Sequence, residues 1–345
     1  MTRNGRLSPL QLCVIAASAV VIIAVVIMVV RRPALEAVQR GYRGTGMVQL
    51  YDAKTVGPLA AANKVPDVLP SLGNVGPPAG TAYKNVQVLK DVSTAEFTRL
   101  MVSMTNWVSP QQGCAYCHNT NDMSSDELYT KVVARRMLEM VQHINADWKG
   151  HVAETGVTCY TCHRGQPVPA NIWFSNSGPQ QAKGMAQAPT GQNHPMAITG
   201  LTSLPYDALT DFLDRRTEVR VVGTTALPTG NRQSIKQTED TYGLMMHFSS
   251  ALGVNCTFCH NSRSFTDWEQ SPPQRATAWY GIRMVRDLNA TYLDPLKGTF
   301  PHARLGPDGD GPKVSCATCH NGVYKPLFGA SMVGTFPELA AVPKP

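Results

Sequence analysis

Four five-residue stretches concentrate the reactive side chains of this sequence: Cys114–His118, Cys159–His163, Cys256–His260 and Cys316–His320, each reading Cys-x-x-Cys-His. A lone Cys-x-x-Cys suits thiol exchange or a zinc site. Completed by His and repeated four times, it instead predicts covalent attachment of c-type haem. Both thiols add to the haem vinyl groups as thioethers. The two-residue spacer places the sulfurs on one helical turn, and the adjacent His sits under the iron. Cys114, Cys117, Cys159, Cys162, Cys256, Cys259, Cys316 and Cys319 are therefore the expected attachment residues, with His118, His163, His260 and His320 as proximal ligands. Of nine cysteines only Cys13 is left over, so the chain reads as a scaffold for four covalently bound haem c groups.

The opposite face of each iron separates an electron carrier, with both axial positions filled, from a haem enzyme with one open. Beyond the proximal set, His143, His151, His194, His247 and His302 remain, and ligating every haem with two histidines would use four of these five. His194 and His302 fall in expected loops, far from the helices that precede the motifs. Methionine is better placed. Met101 lies 17 residues before His118 and Met245 lies 15 before His260, each on a predicted helix leading into its motif, while Met137 lies 26 before His163. Methionine also fills apolar helix faces without any further role, and Met104, Met140 and Met246 are rivals at neighbouring positions. For the fourth haem Met284 and His151 compete, and spacing leaves that choice open.

The elements that must position these groups are mainly helical, with extensive irregular loops: 28 glycines and 25 prolines accompany only 16% charged residues. Ser93 and Glu96 predict a capping box opening a helix towards Trp107. Asp126 to Trp148 has helical spacing of Val132, Val133, Met137, Met140 and Ile144. A helix is expected from Thr238 to Leu252, stopped by Gly253, and a longer one from Pro272 and Pro273 to Pro295. Short strands are expected at Tyr83–Leu89 and Arg220–Val222, and a short helix at Tyr206–Leu213. The order helix, motif, helix, motif occurs twice, with Ile144-Asn145-Ala146 and Leu288-Asn289-Ala290 in matching places. Two pseudo-repeated dihaem halves follow, 83–200 and 201–345, the loop-like segment 164–200 bridging them. Residues 33–82, punctuated by Pro66, Pro70, Pro77 and Pro78, read as an extended connector.

Residues 11–30 carry no charge and are long enough to span a bilayer, closed by Arg31, Arg32 and Pro33. The run is too long, and its exit too poor in small residues, for a cleaved signal. Residues 1–32 are expected to be a cytoplasmic N-terminus and a retained transmembrane anchor, with Cys13 a buried thiol near its start. Haem attachment outside the cytoplasm puts the remainder in the periplasm. The formal charge of +7 does not imply nucleic-acid binding. Four haems add about eight propionate carboxylates, and the basic residues are dispersed. Arg275 and Arg283 are candidates for propionate pairing, or for ordinary solvation.

The stretches VVARRMLEM, ETGVTCYTCHRG, LGVNCTFCHN, GIRMVRDLN and KPLFGAS, with the four motifs in order, resemble the tetrahaem cytochrome c subunit of purple-bacterial photosynthetic reaction centres. The resemblance runs from about Tyr83 to the C-terminus. It implies His/Met ligation at three haems, Met101 with His118, Met137 with His163 and Met245 with His260, and His/His ligation at the fourth, with His151 reaching across to His320. Met284 then belongs to the core. It also implies a non-enzymatic electron relay docked on the periplasmic face of the reaction centre, on core subunits of L, M and H type. The haems would lie in a line, that of the third motif nearest the photo-oxidised bacteriochlorophyll special pair. The electron donor would be a soluble c-type cytochrome or high-potential iron–sulfur protein. Members are often lipid-anchored after signal cleavage, and this sequence departs from that habit. The rivals are a membrane-anchored tetrahaem quinol dehydrogenase and a multihaem reductase with one open iron.

Overall fold

The computed structural model describes residues 8–30, 35–39, 48–176, 194–196, 202–204, 207–219 and 235–340. Helix α1, Pro9–Val30, is long and apolar enough to cross a membrane, and none of its residues is buried. Cys13 lies exposed within this helix. The connector is more ordered than its prolines suggest. Strands β1 (Leu35–Gln39) and β2 (Val48–Asp52) pair antiparallel, Leu35 opposite Asp52. Helix α2, Ala53–Ala62, follows, its first turn capped by the Asp52 carboxylate accepting from Lys54 N at 2.9 Å. Its alanine-rich sequence favours a helix in spite of Gly57 and Pro58. The prolines break regular structure only beyond Asn63, until the single turn α3, Ala79–Ala82.

The expected strand at Tyr83–Leu89 does not form. Asn85 and Leu89 have φ of 60° and 68°, a left-handed backbone that no ladder accommodates. Helix α4, Thr94–Val108, starts where Ser93 Oγ accepts from Glu96 N at 3.4 Å. Only half of the expected box is made, because the Glu96 carboxylate turns to Ser71, Leu72 N, Gly73 N and Arg99 instead. Helix α5 covers Tyr129–Asp147, starting three residues later than expected, and passes into the short α6, Lys149–Val152. The second motif is itself a helix, α7, Cys159–His163. His194 opens strand β3 (His194–Met196), paired with β4 (Thr202–Leu204), where the sequence suggested loop. A π-type turn, Thr210–Asp214, replaces the helix expected at 206–213, and residues 220–222 lie outside the described residues. Helix α8, Ile235–Leu252, ends at Gly253, whose φ of +62° and approach to the Gly322 carbonyl leave no room for a side chain. Helices α9, Gln274–Leu288, and α10, Cys316–His320, complete the set.

Among the described residues the two larger apolar clusters flank the motifs, and a small one holds Val254 and Phe258. Leu100, Trp107, Leu138, Ile144 and Phe336 form one, and Leu209, Phe212, Leu213 and Leu244 the other. Helix α9 serves both: Met284 and Leu288 enter the first, Ile282 and Val285 the second. Each fully buried large side chain contributes roughly 1.5–3 kcal/mol, so α9 is the seam joining the two clusters. The connector ties to the ends of α8 and α10: Asn63, 2% exposed, donates to the carbonyls of Leu59 and Asn321, and Tyr51 OH donates to Gly253 O.

Candidate haem-binding site

The four motifs adopt two local forms, dictated by the residue before the first cysteine. Thr158 and Ser315 stand at the N-cap of their helices, and Thr161 and Thr318 each accept from the cap's own N–H at 2.9 Å. Both helices then end in a left-handed residue, Arg164 (φ 51°) and Asn321 (φ 48°). The first and third motifs lack that hydroxyl pair and form 3-10 turns, Gly113–Tyr116 and Cys256–Phe258. The difference reaches the histidines. His163 and His320 present Nδ1 to the carbonyl three residues on, Gln166 and Val323, both at 2.9 Å. His118 and His260 use the carbonyl five residues on, Met123 at 3.0 Å and Phe265 at 2.9 Å.

The second and fourth motifs are also tethered alike. Asn145 on α5 accepts from Val157 N at 2.7 Å and donates to Val157 O at 2.9 Å. Asn289, just beyond α9, accepts from Val314 N at 2.9 Å and donates to Val314 O at 3.1 Å. Val157 and Val314 each stand two residues before the first cysteine of their motif. The matching Asn-Ala pairs visible in the sequence are thus a shared device that fixes where the attachment cysteines begin.

Each of these four imidazoles, its Nδ1 engaged by a backbone carbonyl, keeps Nε2 as the lone-pair nitrogen, the tautomer an axial ligand requires. His151 behaves the same way, Nδ1 on Thr277 O at 2.9 Å. His143 does not. Its two nitrogens face Asp147 at 2.7 Å and Asp287 at 2.6 Å, leaving neither for a metal. Burial lowers the pKa of His151, His163 and His260, and holds His320 at about 4, so these rings are neutral near pH 7. Burial likewise pushes the thiols of Cys159 and Cys316 up to about 12 and those of Cys117 and Cys259 to about 11. Such thiols are poor zinc ligands and poor redox nucleophiles.

His151 and His320 meet edge-on, with ring centres 6.1 Å apart and ring planes inclined by 67°. A metal bridging two imidazoles at about 2.0 Å each sets their ring centres roughly 6.2 Å apart. The separation therefore fits one iron between them. Gly281 of α9 provides the space: a Cβ there would lie 2.6 Å from His151 Cε1. Met284 is buried in the first cluster.

One continuous cavity of about 1530 Å³ is lined by all eight motif cysteines, the four motif histidines, Met101, Met137, Met245 and His151. Met104, Met140 and Met284 line it as well, whereas Met246 does not. Sulfur and imidazole donors arranged around an otherwise apolar space are what covalent haem c needs, and the residues fit that group. Along the cavity α4 packs on α7, α7 on α10 and α10 on α8, and Cys162 and Cys319 bring their sulfurs within 2.7 Å. Arg275 and Arg283 lie instead over Trp268 and Trp279, at 4.1 Å and 4.6 Å from the ring centres. The sequence reading passed over Gly281 and Thr277. The glycine in an otherwise good helical run was the only signal of the first, and a backbone acceptor such as the second leaves none.

The model of the family described as photosynthetic reaction centre cytochrome c subunit matches residues 31–340. The reaction-centre cytochrome c subunit of Rubrivivax gelatinosus is 54% identical over 313 residues, covering 90% of this chain and 85% of its own. That of Thermochromatium tepidum is 50% identical over 333 residues, 96% of this chain and 82% of its own. The corresponding subunit of Roseobacter denitrificans is 43% identical over 338 residues, covering 93% and 90%. Both the motif geometry and this coverage lead to the same conclusion: the chain belongs to the photosynthetic reaction-centre cytochrome c subunit family.

Proposed function

We propose that this reaction-centre cytochrome relays electrons through four haem c groups to the photo-oxidised bacteriochlorophyll special pair, taking them from a soluble periplasmic carrier. The attachment pairs are Cys114 and Cys117, Cys159 and Cys162, Cys256 and Cys259, Cys316 and Cys319. The axial pairs are His118 with Met101, His163 with Met137, His260 with Met245, and His320 with His151. Haem c supplies a one-electron ferrous/ferric couple when bound. The residues fix its axial donors, hold the imidazoles in the ligating tautomer and keep water from the cavity. A thioether donor raises the potential relative to a second imidazole, so the His151/His320 site is the low one. The α1 segment anchors the chain, with residues from 33 onward on the periplasmic side, docked on the L, M and H type core. Two dihaem halves, 83–200 and 201–345, arose from one ancestor; the matching Asn145 and Asn289 tethers support this.

The observation carrying the assignment is the edge-on pair of His151 and His320, ring centres 6.1 Å apart, within a cavity lined by all four motifs. Low-temperature EPR during a redox titration tests it. Three His/Met signals and one His/His signal are expected. A high-spin centre refutes the relay, and four His/His signals would turn the reading towards quinol oxidation.

A further inference from the structure

Helices α5 and α9 can be put in register by their tethers, Asn145 and Asn289, because both residues hold the residue two before a first cysteine in the same way. In that register their buried faces agree position by position. Leu138 falls on Ile282, Met140 on Met284, Val141 on Val285 and Ile144 on Leu288, and all eight are buried. Two inward positions break the match: buried Gln142 falls on half-buried Arg286, and the second lies on the cavity. Eight residues before Asn145 stands Met137, a cavity-lining candidate ligand; eight before Asn289 stands Gly281. Where the first half places a thioether, the second half places nothing, and the vacant slot is taken by the ring of His151. A Cβ on Gly281 would meet that ring at 2.6 Å from Cε1, 2.9 Å from Nδ1 and 3.3 Å from Nε2. The ring cannot retreat freely, since Nδ1 is bonded to Thr277 O on the same helix.

We propose that Gly281 is the residue that selects the axial ligand at the fourth motif: its missing side chain admits His151, and a methionine there would take the ligand's place. This rests on His151 and His320 forming the axial pair. Gly281 is a positioning residue, acting through His151 and touching the reacting centre only by leaving room for it. A side chain at this position excludes the imidazole, and its chemistry then decides what replaces it. Methionine brings a thioether to the cavity, as Met137 does in the first half. Leucine has similar bulk and no donor.

The test uses the full-length holoprotein in three forms, wild type, Gly281→Met and Gly281→Leu, read by low-temperature EPR and near-infrared absorption. Gly281→Met is expected to lose the His/His signal, gain a fourth methionine–iron charge-transfer band and raise the lowest of the four midpoint potentials. Gly281→Leu is expected to lose the same signal and give a high-spin centre instead. Should either variant fail to assemble, Gly281→Ala adds a single methyl at the contact and must already shift the His/His signal. A wild-type His/His signal that survives all three substitutions overturns the role given to Gly281 and leaves the ligand pairs standing. Identical spectra for the methionine and leucine forms overturn it equally. A wild type with no His/His signal overturns the axial pair, and the inference with it.

Discussion

Replacing Asn145 or Asn289 by alanine should weaken the protein by nearly equal amounts and should do so at the second and fourth motifs specifically. Each asparagine is buried, 5% and 0% exposed, and each makes three side-chain bonds. Asn145 bonds Val157 N, Val157 O and Leu339 O at 2.7, 2.9 and 2.8 Å. Asn289 bonds Val314 N, Val314 O and Leu213 O at 2.9, 3.1 and 3.1 Å. Carbonyls retain a second lone pair, so their loss is modest. The stranded N–H has no alternative, and an unsatisfied buried donor costs about 1–3 kcal/mol. Adding the carbonyl bonds gives about 2–4 kcal/mol per substitution, or a fall in Tm on the order of 5–10 °C. Circular dichroism of each holoprotein measures the fall. Mass spectrometry counts attached haems, and a deficit should fall on Cys159/Cys162 in the first variant and on Cys316/Cys319 in the second. A loss below about 1 kcal/mol in either, or a deficit spread evenly over all four motifs, would refute the idea that these amides place the cysteines.

Three further outcomes are expected. The Arg164 guanidinium donates to Thr161 O, Ala62 O, Asn63 Oδ1 and Cys319 O, and among the described residues it has no ion-pair partner. Arg164→Gln should therefore lower the potentials of the second and fourth sites, by an amount on the order of 1 kcal/mol in each, while Arg164→Lys should leave them nearly unchanged in a spectroelectrochemical titration. Burial raises the pKa of Asp287, but bonds from His143, Thr291 and Trp148 outweigh it and hold the carboxyl below its ordinary value. Its contribution is then complete above about pH 4, the unfolded value, and is lost as pH falls through the lower folded one; acid unfolding followed by circular dichroism should lose part of this slope in Asp287→Asn. Met245→His should lower the third site's potential alone and slow re-reduction of the special pair after a flash, and an unchanged rate would remove Met245 from the ligand set.

How much of this was legible in the sequence depended on the range of the interaction involved. Attachment chemistry is local, so five residues sufficed for each motif. Helices with strong apolar periodicity, α4, α5 and α9, were readable to within a few residues, because one buried face repeats along each. Tyr83–Leu89 was misread for the opposite reason: its apolar alternation is ordinary, and the left-handed backbone at Asn85 and Leu89 is imposed by neighbours. Glu96 offered a capping box and was captured by Ser71, Leu72 and Gly73, which are more than twenty residues away. The choice between His151 and Met284 turns on the fold itself: laying α6 against α9 brings the imidazole to 6.1 Å from that of His320, while Met284 both enters the core and lines the cavity.

Other contacts join residues that the α5/α9 register makes equivalent. In the register set by Asn145 and Asn289, His143 and Asp287 occupy equivalent positions, each two residues before its asparagine, and they bond to each other at 2.6 Å. Cys162 and Cys319 are equivalent within their motifs, and their sulfurs also meet. In a symmetric pair, a residue touches its own counterpart only close to the twofold axis. Both contacts therefore mark where an approximate axis runs, between α5 and α9 and between the second and fourth motifs. The first and third motifs are then the distant ends, which agrees with the packing order α4, α7, α10, α8. On the proposed reading of two dihaem halves, such an axis would set four sites in a line with the two similar motifs innermost, so that electrons would enter at one end and leave at the other. On the axial pairs proposed above, His151 would serve the fourth motif across this region, and Gly281 is where the match between α5 and α9 is broken to receive it.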